Sequence, residues 1–230
     1  MIWRVPRGES IVSPPSHCPK CNVRIKARDN IPIVSWLLLH GRCRNCGEPI
    51  SARYPLVEGL VAVIFAAITA VNGVEWDLAW QLPLATVLVA VAAIDLDLQI
   101  IPNKIVYPTA VWGVVSALLI RASDLPELAA WGAGAFLFLL IAALVYPAGM
   151  GMGDVKLAGV MGLYLGSSVV VALLIAFLSG TAVGISIMFR HGFAEGRKMG
   201  VPFGPFLAFG GIVALLVGPD LVEVYRDTFL

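Results

Sequence analysis

Seven apolar runs follow one another along most of the chain, at approximately 56–74, 78–94, 105–120, 128–147, 155–166, 168–189 and 203–218. Short loops rich in glycine, proline or charge separate them. A helix needs ~20 mostly apolar residues to cross a bilayer, or ~17 at the short end. The run at 155–166 is too short by that rule. It is expected to be a short helix buried among its neighbours, or one that begins inside the preceding GMGMGD loop. Before the first run, residues 1–54 are rich in Pro, Arg and turn-forming residues, and they close on RYPLVEGL, where the composition switches.

Composition supports this division. Of 230 residues, 59% are hydrophobic and 13% charged, against roughly 25% charged in an ordinary soluble domain. The excess apolar residues lie in long, nearly uncharged runs rather than in one soluble core. The expected fold is all-α: a polytopic membrane helix bundle of about seven spans (residues 55–230) behind a small N-terminal head (residues 1–54). A lipid bilayer is thus an obligatory partner, and no nucleic-acid partner is expected. The N-terminal MIWRVPRGES lacks an apolar h-region, so no cleavable signal segment is expected.

Charge is distributed unevenly. The head holds nine Lys/Arg against three Asp/Glu, a net of +6, and the remainder has a net of −5. If the head is cytoplasmic, the loops on its side carry Lys104, Lys156, Arg190, Arg197 and Lys198. The opposite side has Arg121 and, in the tail, Arg226. Basic residues favour the cytoplasmic side, which places the head inside the cell. On that count Asp95 and Asp154, 59 residues apart, both sit at cytoplasmic helix ends.

All four cysteines fall in the head, as Cys18-Pro-Lys-Cys21 and Cys43-Arg-Asn-Cys46. Paired C-x-x-C spacers are a metal-site pattern, and four thiolates satisfy tetrahedral Zn²⁺ with no open coordination position. A structural zinc is expected, held by Cys18, Cys21, Cys43 and Cys46. Two disulfides are the competing arrangement, which a cytoplasmic location disfavours. His17 and His40 are expected to be bystanders. Gly47 suits a left-handed turn after the second pair.

Ionisable groups within or at the mouth of a membrane bundle are costly and mark function by default. The candidates are Glu58, Asp95, Asp97 and Asp154. Asp95-Leu96-Asp97 ends one apolar run, and Asp154 follows Gly151-Met152-Gly153. Two carboxylates brought together cannot both ionise, so one keeps a proton as acid while the other activates water. Gly151 and Gly153 would let a backbone approach Asp154. Helix capping or a transport role remains a competing explanation. Glu58 is expected to partner a Lys or Arg, and Lys156 either snorkels to the interface or touches the site.

These segments, taken in order, resemble the type IV prepilin peptidases, bacterial membrane aspartyl proteases with a GxGD motif. In the head the matching text is RVPRGESI, CPKC, DNIPIVSWLLLHGRCRNC and PISARYPLVE. In the membrane body it is IDLDLQIIPN, GMGDVKLAG and VPFGPFLAFG. The resemblance implies cleavage of the short basic leader from prepilins or pseudopilins at the cytoplasmic membrane face, after a glycine. It also implies, in many members, methylation of the new N-terminus with S-adenosylmethionine as donor. Carried over by motif, the catalytic aspartates are Asp95, with Pro102 seven residues on, and Asp154. Asp97 occupies a position that members often fill with an acid and is the weaker candidate, and Gly41 is the position associated with methyl transfer. Members usually begin with an apolar helix leading into text like IWRVPRG, and this chain starts where that helix would finish. Two rivals stand beside this reading: a GxGD intramembrane protease for other substrates, and a non-catalytic scaffold whose zinc head docks a partner in a secretion assembly.

Overall fold

The computed structural model describes residues 2, 4–8, 10, 13, 15–146, 149–192 and 200–229, with the His191 side chain excepted. Arg197 and Lys198 of the last basic loop lie outside them. The described residues form helices without strands: α1 (Val34–Leu38), α2 (Arg53–Asn72), α3 (Leu78–Leu98), α4 (Asn103–Ile120), α5 (Leu125–Val145), α6 (Met152–Leu165), α7 (Val169–His191) and α8 (Gly204–Phe229). Each apolar run has become one of the helices α2 to α8.

Six segments among the described residues are long and apolar enough to cross a membrane, against about seven expected. The difference lies in one 39-residue stretch, Met152–Arg190, that contains both α6 and α7. At 1.5 Å per residue a continuous helix of that length would reach ~58 Å, nearly twice the ~30 Å hydrocarbon core. A 3-10 turn at Gly166–Ser168, with Gly166 at φ +56°, breaks it in two. The short run is therefore a separate 14-residue helix that starts in the glycine loop.

Successive helices run in opposite directions. The last turn of α3 and the first turns of α2, α4, α6 and α8 converge at one end, where Arg53 bonds α3, Lys156 bonds α4, and Gly204 bonds α3. The head leads into that same end through Arg53. The ends of α4, α6 and α8 meet at the opposite end, around a cavity of about 350 Å³ lined by Arg121, Ser167, Ser168 and Arg226.

Helix α3 is the central element. Its residues from Leu84 to Asp95 are almost all buried, against α2, α4 and α8. Helix α2 is peripheral, with only Ile64 and Ile68 buried. Because lipid is as apolar as leucine, membrane helices associate through close backbone approach at small residues. Helices α5 and α6 do this at Gly132, Gly159 and Gly162. A Cβ on Gly162 would stand 2.6 Å from the Trp131 carbonyl oxygen and 2.7 Å from Gly132 Cα. These are backbone atoms that cannot step aside. Gly162→Leu should therefore separate α5 from α6 and destabilise the bundle by at least the ~1–3 kcal/mol typical of overpacking. Thermal unfolding in detergent, compared with Gly134→Leu at an open position, checks this.

Candidate active site and metal centre

The two aspartates have different local supports. Asp95 lies one turn before the end of α3, 5% exposed, and its Oδ2 accepts the backbone N–H of Gly204 at 2.9 Å. Gly204 is the first residue of α8, where the leading N–H groups have no intrahelical acceptor. The carboxylate thus takes up an amide left over at a helix start. A Cβ on Gly204 would stand 2.6 Å from that Oδ2, so the position admits no side chain.

Asp154 is the third residue of α6 and 8% exposed. It is not the N-cap. Its Oδ2 reaches back to accept the N–H of Gly151 at 3.1 Å, the carboxylate half of a capping box. Capping therefore uses one oxygen only. The other, Oδ1, is buried with no hydrogen-bond partner among the described residues. Helices α3 and α6 are in contact, and both carboxylates stand at the bundle end where α3 finishes and α6 starts. Gly153 provides the clearance: a Cβ there would lie 2.7 Å from Cβ of Ile101, in the loop leading into α4. Gly151 faces the Asp154 carboxylate, its Cβ position 3.3 Å from Oδ2.

Asp97 stands apart, half exposed, in an ion pair with Arg53. The same guanidinium donates to the Ala93 carbonyl at 2.6 Å, so Arg53 holds the last turns of α3 to the start of α2. Lys156 donates to Asn103 Oδ1 at 3.0 Å, with its ammonium 5.5 Å from the Tyr107 ring centroid. It joins the first turns of α6 and α4. The partner of Glu58 is a backbone amide, not the expected Lys or Arg: its Oε2 accepts the Ile33 N–H at 2.8 Å. Ile33 needs that support, because its φ of +61° is a costly conformation for a β-branched residue. Sequence reasoning missed Gly204, Arg53 and Asn103 as partners. The visible signals were the VPFGPF segment, a basic residue opening an apolar run, and an Asn following Pro102.

In the head, the four cysteine sulfurs all lie within 4.8 Å of one another, and no disulfide joins them. Each pair forms a tight knuckle. Asn22 donates to the Cys18 carbonyl and Gly47 to the Cys43 carbonyl, both at 2.9 Å. The residue after each knuckle is left-handed, Asn22 at φ +54° and Gly47 at φ +72°. Zn–S bonds of ~2.3 Å in a tetrahedron place sulfurs about 3.8 Å apart, and Cys18 and Cys46 are 3.8 Å apart. Backbone amides of Cys21 and Lys20 hold the Cys18 thiol below its ordinary pKa, and the Val23 amide does the same for Cys21. At Cys46 the Glu48 amide acts in the same sense, but desolvation and the three neighbouring sulfurs push the thiol up to about 12. Four cysteine sulfurs at this spacing could hold a metal ion as thiolates, and the donor set suits zinc. His17 lies outside the cluster, against the Pro15 carbonyl.

Gly41 packs against Trp36. Its φ is +65°, and a Cβ would stand 2.8 Å from the Trp36 indole, whose Nε1–H donates to the Ile50 carbonyl. The indole thus fills the position that a side chain on residue 41 would need. Metal analysis of the purified chain should find about one zinc per molecule, and Cys18→Ser or Cys43→Ser should remove it and make the head protease-sensitive.

Comparison with known proteins places the chain in a family. Residues 1–71 match the bacterial peptidase A24 N-terminal domain, and residues 82–185 match the type IV leader peptidase family. The chain is 37% identical over 227 residues to the prepilin leader peptidase/N-methyltransferase of Aeromonas hydrophila, covering 96% of this chain and 78% of that protein. It is 33% identical to the protein of the same name from Bacillus subtilis, covering 96% of this chain and 89% of that one. No solved structure matches the chain with significance. At this identity, over nearly its whole length, the chain belongs to the type IV leader peptidase family.

Proposed function

We propose that this chain removes the basic leader peptide from type IV prepilins or pseudopilins, cutting after a glycine at the cytoplasmic membrane face, with Asp95 and Asp154 as the acid–base pair. The peptidase unit is the membrane body, residues 55–230, and the head, residues 1–54, is a separate zinc-stabilised domain beside it. The observation that supports the chemistry most is the buried Oδ1 of Asp154, which has no hydrogen-bond partner among the described residues and lies at the bundle end it shares with Asp95. Buried polar atoms in native proteins are nearly always satisfied, and a catalytic role is one recognised reason for an exception.

Each aspartate commits one oxygen to a backbone amide, Gly204 N–H for Asp95 and Gly151 N–H for Asp154. Those bonds fix both carboxyl planes before substrate arrives. The pair shares one proton. The ionised member takes a proton from water as the water oxygen attacks the scissile carbonyl, and the protonated member gives its proton to the carbonyl oxygen. Collapse of the tetrahedral intermediate breaks the C–N bond, and the departing amine takes up a proton from the pair.

Sidedness follows from charge. Lys104, Lys156 and Arg190 lie at the aspartate end of the bundle, and Arg121 and Arg226 at the other. The positive-inside rule then puts the aspartates and the basic head at the inner face of the cytoplasmic membrane. A basic leader is drawn to the anionic inner leaflet, while the apolar segment behind it stays in the bilayer. The glycine before the cut makes local unwinding cheap, and Gly151 and Gly153 give an extended strand access to Asp154. Service to a type IV pilus or type II secretion system is part of this proposal. Methylation of the new N-terminus comes from the names of the relatives, and no step of it is assigned to residues of this chain.

Asparagine tests the mechanism, since its oxygen still accepts the Gly204 or Gly151 N–H but cannot ionise. Asp95→Asn and Asp154→Asn should each lower cleavage of a prepilin-like peptide by ~10²–10⁴-fold, with melting temperature and zinc content unchanged. Purified variants that still trim the peptide would show the aspartyl protease reading to be wrong. Asp97→Asn should retain most activity in the same assay, because Asp97 bonds Arg53 rather than facing Asp154.

A further inference from the structure

Residues 31–38 of the head expose an apolar surface that no described residue covers. Ile31, Val34, Leu37 and Leu38 are 50%, 48%, 59% and 71% exposed. The segment is nonetheless ordered from within. Ser35, buried, donates its hydroxyl to the Arg28 carbonyl and accepts the Ile31 N–H. A folded soluble domain does not ordinarily fix four large apolar side chains outward on one short segment.

The height of the segment relative to the bundle is set by two contacts with α2. The Ile33 N–H bonds Glu58 Oε2, and Ile33 Cδ1 lies 3.8 Å from the Cβ position of Gly59. Gly59 has no side chain, so the Ile33 side chain alone spans the second contact. Gly59 is six residues into α2 from Arg53, or ~9 Å along the helix axis. Arg53 itself marks the polar rim, bonded to the half-exposed Asp97. The Ile33 side chain therefore meets α2 more than one turn below that rim, at the level where Leu56 and Leu60 are exposed outward. Interfacial helices insert their apolar face ~5–10 Å into the boundary between headgroups and acyl chains. Lys26 and Arg28, both exposed, precede the apolar residues and suit anionic headgroups.

We propose that residues 31–38 lie in the headgroup region of the bilayer beside the first turns of α2, so that the zinc head is seated on lipid rather than projecting into solvent. The occupant of the apolar surface is the membrane itself, not a protein partner. This rests on α2 crossing the bilayer and not on the peptidase chemistry.

The test uses the full-length chain in nanodiscs containing phosphatidylglycerol, with photoreactive benzoylphenylalanine at Leu37 or at Leu38. Leu60 on α2 is the lipid-facing reference, and Lys20 on the first cysteine knuckle is the head reference. Illumination followed by mass spectrometry should give lipid adducts at Leu37 and Leu38 within about twofold of Leu60 and at least about fivefold above Lys20. Zinc content and peptide cleavage are measured on each labelled protein. If a label at Leu37 or Leu38 costs the zinc, Ile31 takes its place, since it lies outside α1 on the same surface. Adducts no more frequent than at Lys20 would overturn the proposal. So would cross-links mainly to a second copy of the chain or to an added prepilin peptide. Loss of cleavage with lipid adducts intact would count against the peptidase reading alone.

Discussion

One hydrogen bond ties the site to the fold: the N–H of Gly204 to Oδ2 of Asp95, between residues 109 positions apart. A carboxylate near the mouth of a membrane bundle must be offered donors, and a helix start offers amides that have no other use. Placing the first residue of α8 against the last turns of α3 satisfies both needs. It also fixes where α8 enters the bundle, and the rest of α8 then packs along α3 and α7. Asp154 repeats the solution on a smaller scale by turning back on the amide of Gly151 in its own helix.

The glycines near these carboxylates are there for clearance. Gly204 and Gly153 have no room for a methyl group, against Asp95 and Ile101 respectively. The same constraint recurs away from the site, where Gly132, Gly159 and Gly162 bring α5 and α6 to backbone contact. Helix α6 is therefore short, walled by neighbours and started by a glycine loop, and these features present Asp154 at the end facing α3. Two cations hold the surrounding helix ends: Arg53 joins α2 to α3, and Lys156 joins α6 to α4. Neither touches the aspartates directly, so both belong to the frame of the site.

Much of this was legible before any coordinates. Each apolar run became a helix because a membrane span must satisfy its own backbone, and that rule needs no knowledge of neighbours. The short run at 155–166 was legible as a short helix, either buried among its neighbours or emerging from the GMGMGD loop, and it is both. The cysteine spacing predicted the cluster, since a C-x-x-C pair makes a local turn whatever surrounds it. Long-range partners were not legible. Nothing in sequence spacing links Gly204 to Asp95, Arg53 to Asp97 or Lys156 to Asn103, because each depends on which helices pack together. Glu58 shows the limit plainly: a carboxylate near a basic head suggested an ion pair, but its partner is the amide of a strained Ile33. Gly41, singled out by resemblance alone, has a local structural reason in its left-handed backbone and the Trp36 indole.

The head and the membrane body are linked by short ties at Arg53 and Glu58, while the proposed chemistry depends on Asp95 and Asp154 alone. The account therefore stands on these two carboxylates sharing one water. The most direct measurement is their separation in a high-resolution experimental structure with an uncleaved leader peptide bound. The account predicts carboxyl oxygens roughly 4–6 Å apart, spanned by a single water hydrogen-bonded to both, with the scissile carbonyl beside it. Carboxylates held more than about 10 Å apart with substrate in place could not share a water at hydrogen-bond distances, and that result would contradict it.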